Sequence, residues 1–92
     1  MAKGEISWVR LDEDGEKLQI YAHRERGKWS FFIRQRRYEN WRPHDSPPLE
    51  DWLELLDGIR RRAARRLVRP EEIDRLIRTI RERFPDLELN DI

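Results

Sequence analysis

The sequence predicts an α+β fold: a three-stranded antiparallel β-meander followed by two α-helices packed on one sheet face as a two-layer sandwich. Three observations carry this expectation. Apolar residues recur with period two through the first part of the chain, and at helical spacing through the last part. A proline-rich stretch separates the two patterns. A chain of 92 residues is one domain's worth. Residues 1–92 are therefore expected to form a single domain, with a meander at 5–37, a connector at 38–48, helices at 49–68 and 70–84, and a tail at 85–92.

Ile6 to Leu11 reads as the first strand, and the adjacent Trp8 and Val9 predict a bulge or burial on both faces. Asp12-Glu13-Asp14-Gly15 supplies turn residues, with Gly15 suited to positive φ. Lys17 to Arg24 then alternates, placing Leu18, Ile20 and Ala22 on one face and Gln19, Tyr21 and His23 on the other. After the turn Glu25-Arg26-Gly27-Lys28, a third strand puts Trp29, Phe31 and Ile33 on one face and Phe32, Arg34 and Arg36 on the other. From Tyr38 to Pro48 the pattern stops, because Pro43, Pro47 and Pro48 oppose regular pairing.

Ser46 is the expected cap of the first helix, with Pro47 and Pro48 in its first turn. Leu49, Trp52, Leu53, Leu56, Ile59, Ala63 and Leu67 make one apolar stripe. Pro70 interrupts and restarts the helix, and Ile73, Leu76, Ile77, Ile80 and Phe84 make a second stripe that Pro85 ends. Leu87 and Leu89 alternate in the tail and suit docking on a sheet edge. Two helical stripes and one apolar sheet face are economically buried against one another, which leaves the opposite sheet face open to solvent or to a partner.

Composition narrows the function classes. A charged share of 42% against 37% hydrophobic would suit a disordered chain, but acids and bases nearly cancel at 19 and 20, and four Trp, three Phe and two Tyr fall at regular spacings. A thin core under a salt-bridged surface is the expectation, in a small soluble domain. The absence of cysteine excludes a disulfide framework, a thiolate zinc site and a cysteine nucleophile. Met1-Ala2-Lys3-Gly4-Glu5 has no apolar leader region and no run approaches a membrane span, so a cytoplasmic protein without membrane partners is expected. Seventeen of the twenty bases are Arg, a bias that codon usage in a GC-rich genome and phosphate or carboxylate recognition both produce.

Catalytic and metal-binding patterns are lacking. The histidines, His23 and His44, lie far apart, and His44 beside Asp45 reads as a solvated turn histidine. No phosphate loop or nucleophile elbow occurs, so a non-enzymatic protein without cofactor or metal is expected. Binding residues are better represented. Tyr21 and His23 with Phe32, Arg34, Arg36 and Arg37 set aromatic rings among guanidinium groups on the open face, the arrangement that holds single-stranded nucleic acid. Seven bases and two acids lie between Arg24 and Arg42. The competing reading is an ordinary solvent-facing sheet with Arg paired to Glu, or Phe32 and Trp8 buried under Tyr38 and Trp41.

Gly58 to Arg69 holds Arg60, Arg61, Arg62, Arg65, Arg66 and Arg69 without an acid. Acids at Glu50, Asp51, Glu54 and Asp57 precede it, so the helix macrodipole and i,i+4 pairs (Asp57–Arg61, Glu71–Arg75, Asp74–Arg78) explain part of the arrangement. Contact with nucleic acid or an acidic protein partner explains the rest equally well. A homodimer burying further apolar surface would ease the shortfall of a small core, with Trp41 and Trp52 at the seam.

An antiparallel sheet followed by a helix beginning Pro-Leu-Glu-Asp-Trp-Leu-Glu-Leu-Leu (residues 48–56) resembles the positive-cofactor-four type of transcriptional coactivator. The resemblance covers about residues 5–65, in element order and a Trp near the helix start. It implies a sheet that binds single-stranded DNA and a helix that dimerises. The second helix, Pro70 to Phe84, and the lack of a lysine-rich strand pattern depart from that family. Two functions are thus expected: single-stranded DNA or RNA binding through Tyr21, His23, Phe32, Arg34, Arg36 and Arg37 flanked by Arg60, Arg61 and Arg65, or, alternatively, protein–protein interaction or homodimerisation.

Overall fold

A computed structural model describes residues 5–87. The fold is α+β, with an antiparallel sheet preceding two helices, and the chain divides into two compact units, Met1–Pro47 and Pro48–Ile92. In the first unit β1 (Glu5–Leu11), β2 (Lys17–Glu25), β3 (Lys28–Arg34) and β4 (Arg42–Pro43) form one sheet in that spatial order, each strand antiparallel to the next. Ile20 sits between Trp8 and Ile33, and Ala22 between Ile6 and Phe31. Period-two geometry therefore gathers these residues on one face, where Ile6, Leu18, Ile20, Ala22 and Phe31 are buried. Trp8 meets Phe31 edge to face, with ring centroids 6.0 Å apart.

Two expectations for the sheet need correction. β1 and β2 pair one to one from Glu5–His23 to Leu11–Lys17, so no bulge separates Trp8 from Val9. Trp8 points to the buried face and Val9 to the other, where it is 60% exposed. The connector also contains a strand. Phe32 pairs with Pro43 and Ile33 with Arg42, and the His44 N–H donates to the Phe31 carbonyl at 2.9 Å. Proline is tolerated here because β4 is an edge strand and its missing donor need not face a neighbour.

The turns behave as their residues dictate. Asp12 accepts from the Asp14 and Glu16 N–H groups, both at 2.9 Å, and Gly15 takes φ +82. Arg26 and Gly27 form the two-residue β2–β3 turn with φ 54 and 79. Positive φ at both central positions is the signature of a type I′ hairpin, which matches the twist of the strands. For an arginine that conformation costs about 1–2 kcal/mol.

In the second unit α1 spans Leu49–Ala64 and α2 spans Glu71–Arg83, and the two contact one another. The cap of α1 is Pro48, not Ser46, and no side chain caps it. Ser46 lies two residues too early to reach the first free amides. Glu50 and Asp51 occupy the first turn and Arg61 and Arg62 the last, as the macrodipole favours. The buried residues of α1 are Asp51, Trp52, Leu55, Leu56, Gly58 and Ile59, with Leu76 and Ile80 in α2.

α1 ends at Ala64, four residues before the expected end at 68 and three before the last stripe residue, Leu67. Arg66 adopts φ +62, its N–H donates to the Ala63 carbonyl at 3.0 Å, and the Leu67 N–H donates to Arg62 at 2.8 Å. This is a Schellman closure with arginine where glycine is usual. Leu67 therefore falls off the stripe and is 67% exposed. Arg61 pairs with Asp57 at 3.3 Å as expected, whereas Arg75 pairs with Glu72 at 3.6 Å and not with Glu71. The Leu87 N–H closes a turn onto Phe84 at 3.0 Å. Met1–Gly4 and Leu89, on which the leader and tail expectations bear, lie outside the described residues. Among the described residues no helix is long and apolar enough to cross a membrane.

Candidate binding face

The opposite side of the sheet carries Ser7, Val9 and Leu11 from β1, Gln19, Tyr21 and His23 from β2, and Phe32 and Arg34 from β3. Their alignment follows from the Arg26–Gly27 turn. A two-residue hairpin loop fixes the register, which sets Tyr21 opposite Phe32 and Gln19 opposite Arg34.

These pairs are in contact. Tyr21 and Phe32 stack with centroids 4.9 Å apart and planes 20° from parallel. Trp41, delivered just before β4, stands edge-on to Tyr21 at 4.7 Å. The Arg34 guanidinium lies 4.2 Å from the Trp41 ring centroid, and its Nε donates to Gln19 Oε1 at 2.7 Å. Three rings and one guanidinium therefore form a single half-buried cluster on this face.

The expected cross-strand pairing of Arg with Glu does not occur at Arg34, whose partners are a neutral amide and an indole. Neutral partners spread the charge of a guanidinium without cancelling it, so it stays available to an anion. The β3–β4 loop extends the same chemistry. Arg36 Nη1 donates to the Tyr38 hydroxyl at 2.6 Å, with its guanidinium 5.9 Å from the Tyr38 ring centroid. Glu39 turns back to accept from the Gln35 N–H at 3.2 Å, and its own N–H donates to the Arg36 carbonyl at 2.9 Å. Arg36 and Arg37 are exposed.

The structure sorts the remaining candidates. His23 shares the face but lies towards Glu5, its Nδ1 3.9 Å from Glu5 Oε1, and is not part of the ring cluster. The competing reading had Phe32 and Trp8 buried under Tyr38 and Trp41; Trp8 lies on the other side of the sheet from Phe32 and Tyr38 is 78% exposed, whereas Trp41 does pack on the face where Phe32 is half-buried. Of the two Trp residues expected at a dimer seam, Trp41 belongs to the ring cluster and Trp52 is only 2% exposed, with the Arg83 guanidinium 5.0 Å from its ring centroid. Arg60, Arg61 and Arg65 are exposed on the second unit. His44 is half-buried, and its N–H continues the β3–β4 ladder.

Sequence reasoning placed Gln19 on this face without naming it a binding residue, and passed over Val9 and Leu11. Gln19 was legible as the partner of Arg34 once the turn was placed. Val9 and Leu11, 60% and 59% exposed, follow from continuing β1 without a bulge. Among the described residues no three His, Cys, Asp or Glu side chains group as metal ligands do. No protein-family model matches the chain, and neither a curated protein nor a solved structure matches it, the coactivator family included.

Proposed function

We propose that this chain is a small non-enzymatic binding domain that takes single-stranded DNA or RNA on the Tyr21–Phe32–Trp41 face. The observation that carries the reading is the Arg34 guanidinium, held over Trp41 and bonded to Gln19 beside a stacked ring pair, with no carboxylate among the described residues paired to it. Bases stack on ring faces whatever their sequence, and cations beside the rings meet the phosphates. Arg36 and Arg37 prolong the positive charge along the β3–β4 loop. The reading needs neither cofactor nor metal, and it goes with a cytoplasmic location, which the lack of cysteine and of any long apolar run supports.

Fluorescence anisotropy of a labelled single-stranded oligonucleotide, titrated at two salt concentrations, tests it. Binding that weakens steeply with salt is expected, because released counterions drive phosphate contacts. Replacing Phe32 with Ala should weaken binding about 5- to 150-fold, since stacking contributes about 1–3 kcal/mol per base. Phe32→Ala and Arg34→Ala variants that stay folded and bind like the parent would sink the reading.

A second reading is favoured by Val9 and Leu11, which expose apolar side chains on the same face of the edge strand β1. In that reading the face is a seam with an acidic protein partner or a second copy of the chain, and the same variants change sedimentation and not oligonucleotide binding.

A further inference from the structure

We infer that the end of α1 and the loop after it, Arg60 to Arg69, form a second contact surface for a nucleic-acid phosphate backbone, carried by the second unit. Three observations converge there. From Gly58 to Pro70 there is no acid, and Arg60, Arg61, Arg65, Arg66 and Arg69 are all exposed. Their one ion pair among the described residues is Arg61 with Asp57, whose side chains are 70% and 64% exposed and which therefore exchange readily with water.

These side chains are not needed to close the helix. The Arg61 carbonyl already accepts from the Arg65 N–H at 3.3 Å, the Ala63 carbonyl from the Arg66 N–H at 3.0 Å, and the Arg62 carbonyl from the Leu67 N–H at 2.8 Å. Backbone amides do the capping that basic side chains often do. Arg65, Arg66 and Arg69 lie past the last helical residue, Ala64, and the hydrogen-bonded turn fixes the direction in which Arg65 and Arg66 leave the backbone.

The third observation is the backbone of Arg66. Its φ of +62 falls in the left-handed region that favours glycine. A glycine would close the same turn without strain, so the turn itself does not call for an arginine at this position. A guanidinium in a segment without acids complements a phosphate, and a row of them complements a phosphodiester chain.

Salt-dependent oligonucleotide binding tests the inference, with variants that separate binding from folding. Arg66→Gly relieves the strain and removes the charge, so its Tm should rise by a few degrees while its affinity falls. Arg66→Ala should lose the same affinity without the gain in Tm. Each lost phosphate contact lowers the log–log salt slope by about 0.7 for a single strand, or about fivefold in affinity at 0.1 M salt. The triple variant Arg65→Ala, Arg66→Gly, Arg69→Ala should thus bind about a hundredfold more weakly, with a slope shallower by about 2.

Parent-like affinity and slope in the triple variant overturn the inference, as does a parent protein that binds phosphatidylserine vesicles or polyglutamate but no oligonucleotide. Should Phe32→Ala and Arg34→Ala bind normally while the triple variant does not, the sheet-face reading fails and this one stands.

Discussion

Removing Trp41 shows whether the ring cluster is a preformed surface. In a Trp41→Ala variant two contacts disappear: the edge-to-face contact with Tyr21 at 4.7 Å and the cation–π contact with Arg34 at 4.2 Å. An aromatic pair contributes about 0.5–1.5 kcal/mol beyond its buried area. A half-exposed cation–π contact contributes about 0.5–1 kcal/mol. Together they give an expected loss of about 2 kcal/mol, which shifts Tm by about 8–16 °C in a domain of this size. Urea titration followed by far-UV circular dichroism measures it, and the midpoint should fall while the m-value holds. A cycle with Arg34→Ala isolates the Arg34–Trp41 term, for which a coupling of about 0.5–1 kcal/mol is expected. A loss below about 0.5 kcal/mol with zero coupling would refute the argument, because neither contact would then be formed in solution. The consequence for binding is equally specific: without Trp41 the Arg34 side chain keeps only Gln19, and oligonucleotide affinity should drop although no charge has been removed.

Two substitutions at opposite ends of the meander should act with opposite sign. Arg26→Asn replaces a strained left-handed arginine with the residue preferred at that position of a type I′ turn, and should raise stability by about 1 kcal/mol in the same urea titration. Asp12→Ala removes the carboxylate oxygen that accepts from both Asp14 and Glu16, and should cost about 1 kcal/mol by thermal unfolding.

How far the sequence carried the fold depends on where each signal was local. The meander was legible because a two-residue turn at Arg26–Gly27 and strict alternation on either side leave one register, which also sets Tyr21 on Phe32. β4 was not, because a proline marks the end of regular structure unless the strand is known to lie at an edge, and edge position is a property of the whole sheet. The sequence offers Trp41 as a dimer-seam residue or as a cover over Phe32 and Trp8, but its place beside Tyr21 depends on β4 and was hidden with it. The end of α1 was misjudged for a different reason. Apolar spacing continued to Leu67, and the residue that breaks the helix, Arg66, has no intrinsic preference for the conformation it adopts.

That last point bears on the arginine excess itself. A GC-rich coding bias accounts for Arg in place of Lys at exposed helical positions, where the two serve equally well. It does not account for Arg in place of Gly, since glycine codons are as GC-rich as those of arginine. The described chain has two non-glycine residues at positive φ, Arg26 and Arg66, and both are arginine at a position where glycine removes strain. A coding bias would thus bear on how many arginines the chain has, while backbone geometry identifies two that such a bias does not explain. Arg66 lies in the acid-free run that ends α1, and Arg26 lies in the stretch from Arg24 to Arg42 where bases outnumber acids seven to two. In each unit the strained arginine thus falls in the most basic segment, where its side chain adds to a positive surface that a glycine would leave weaker.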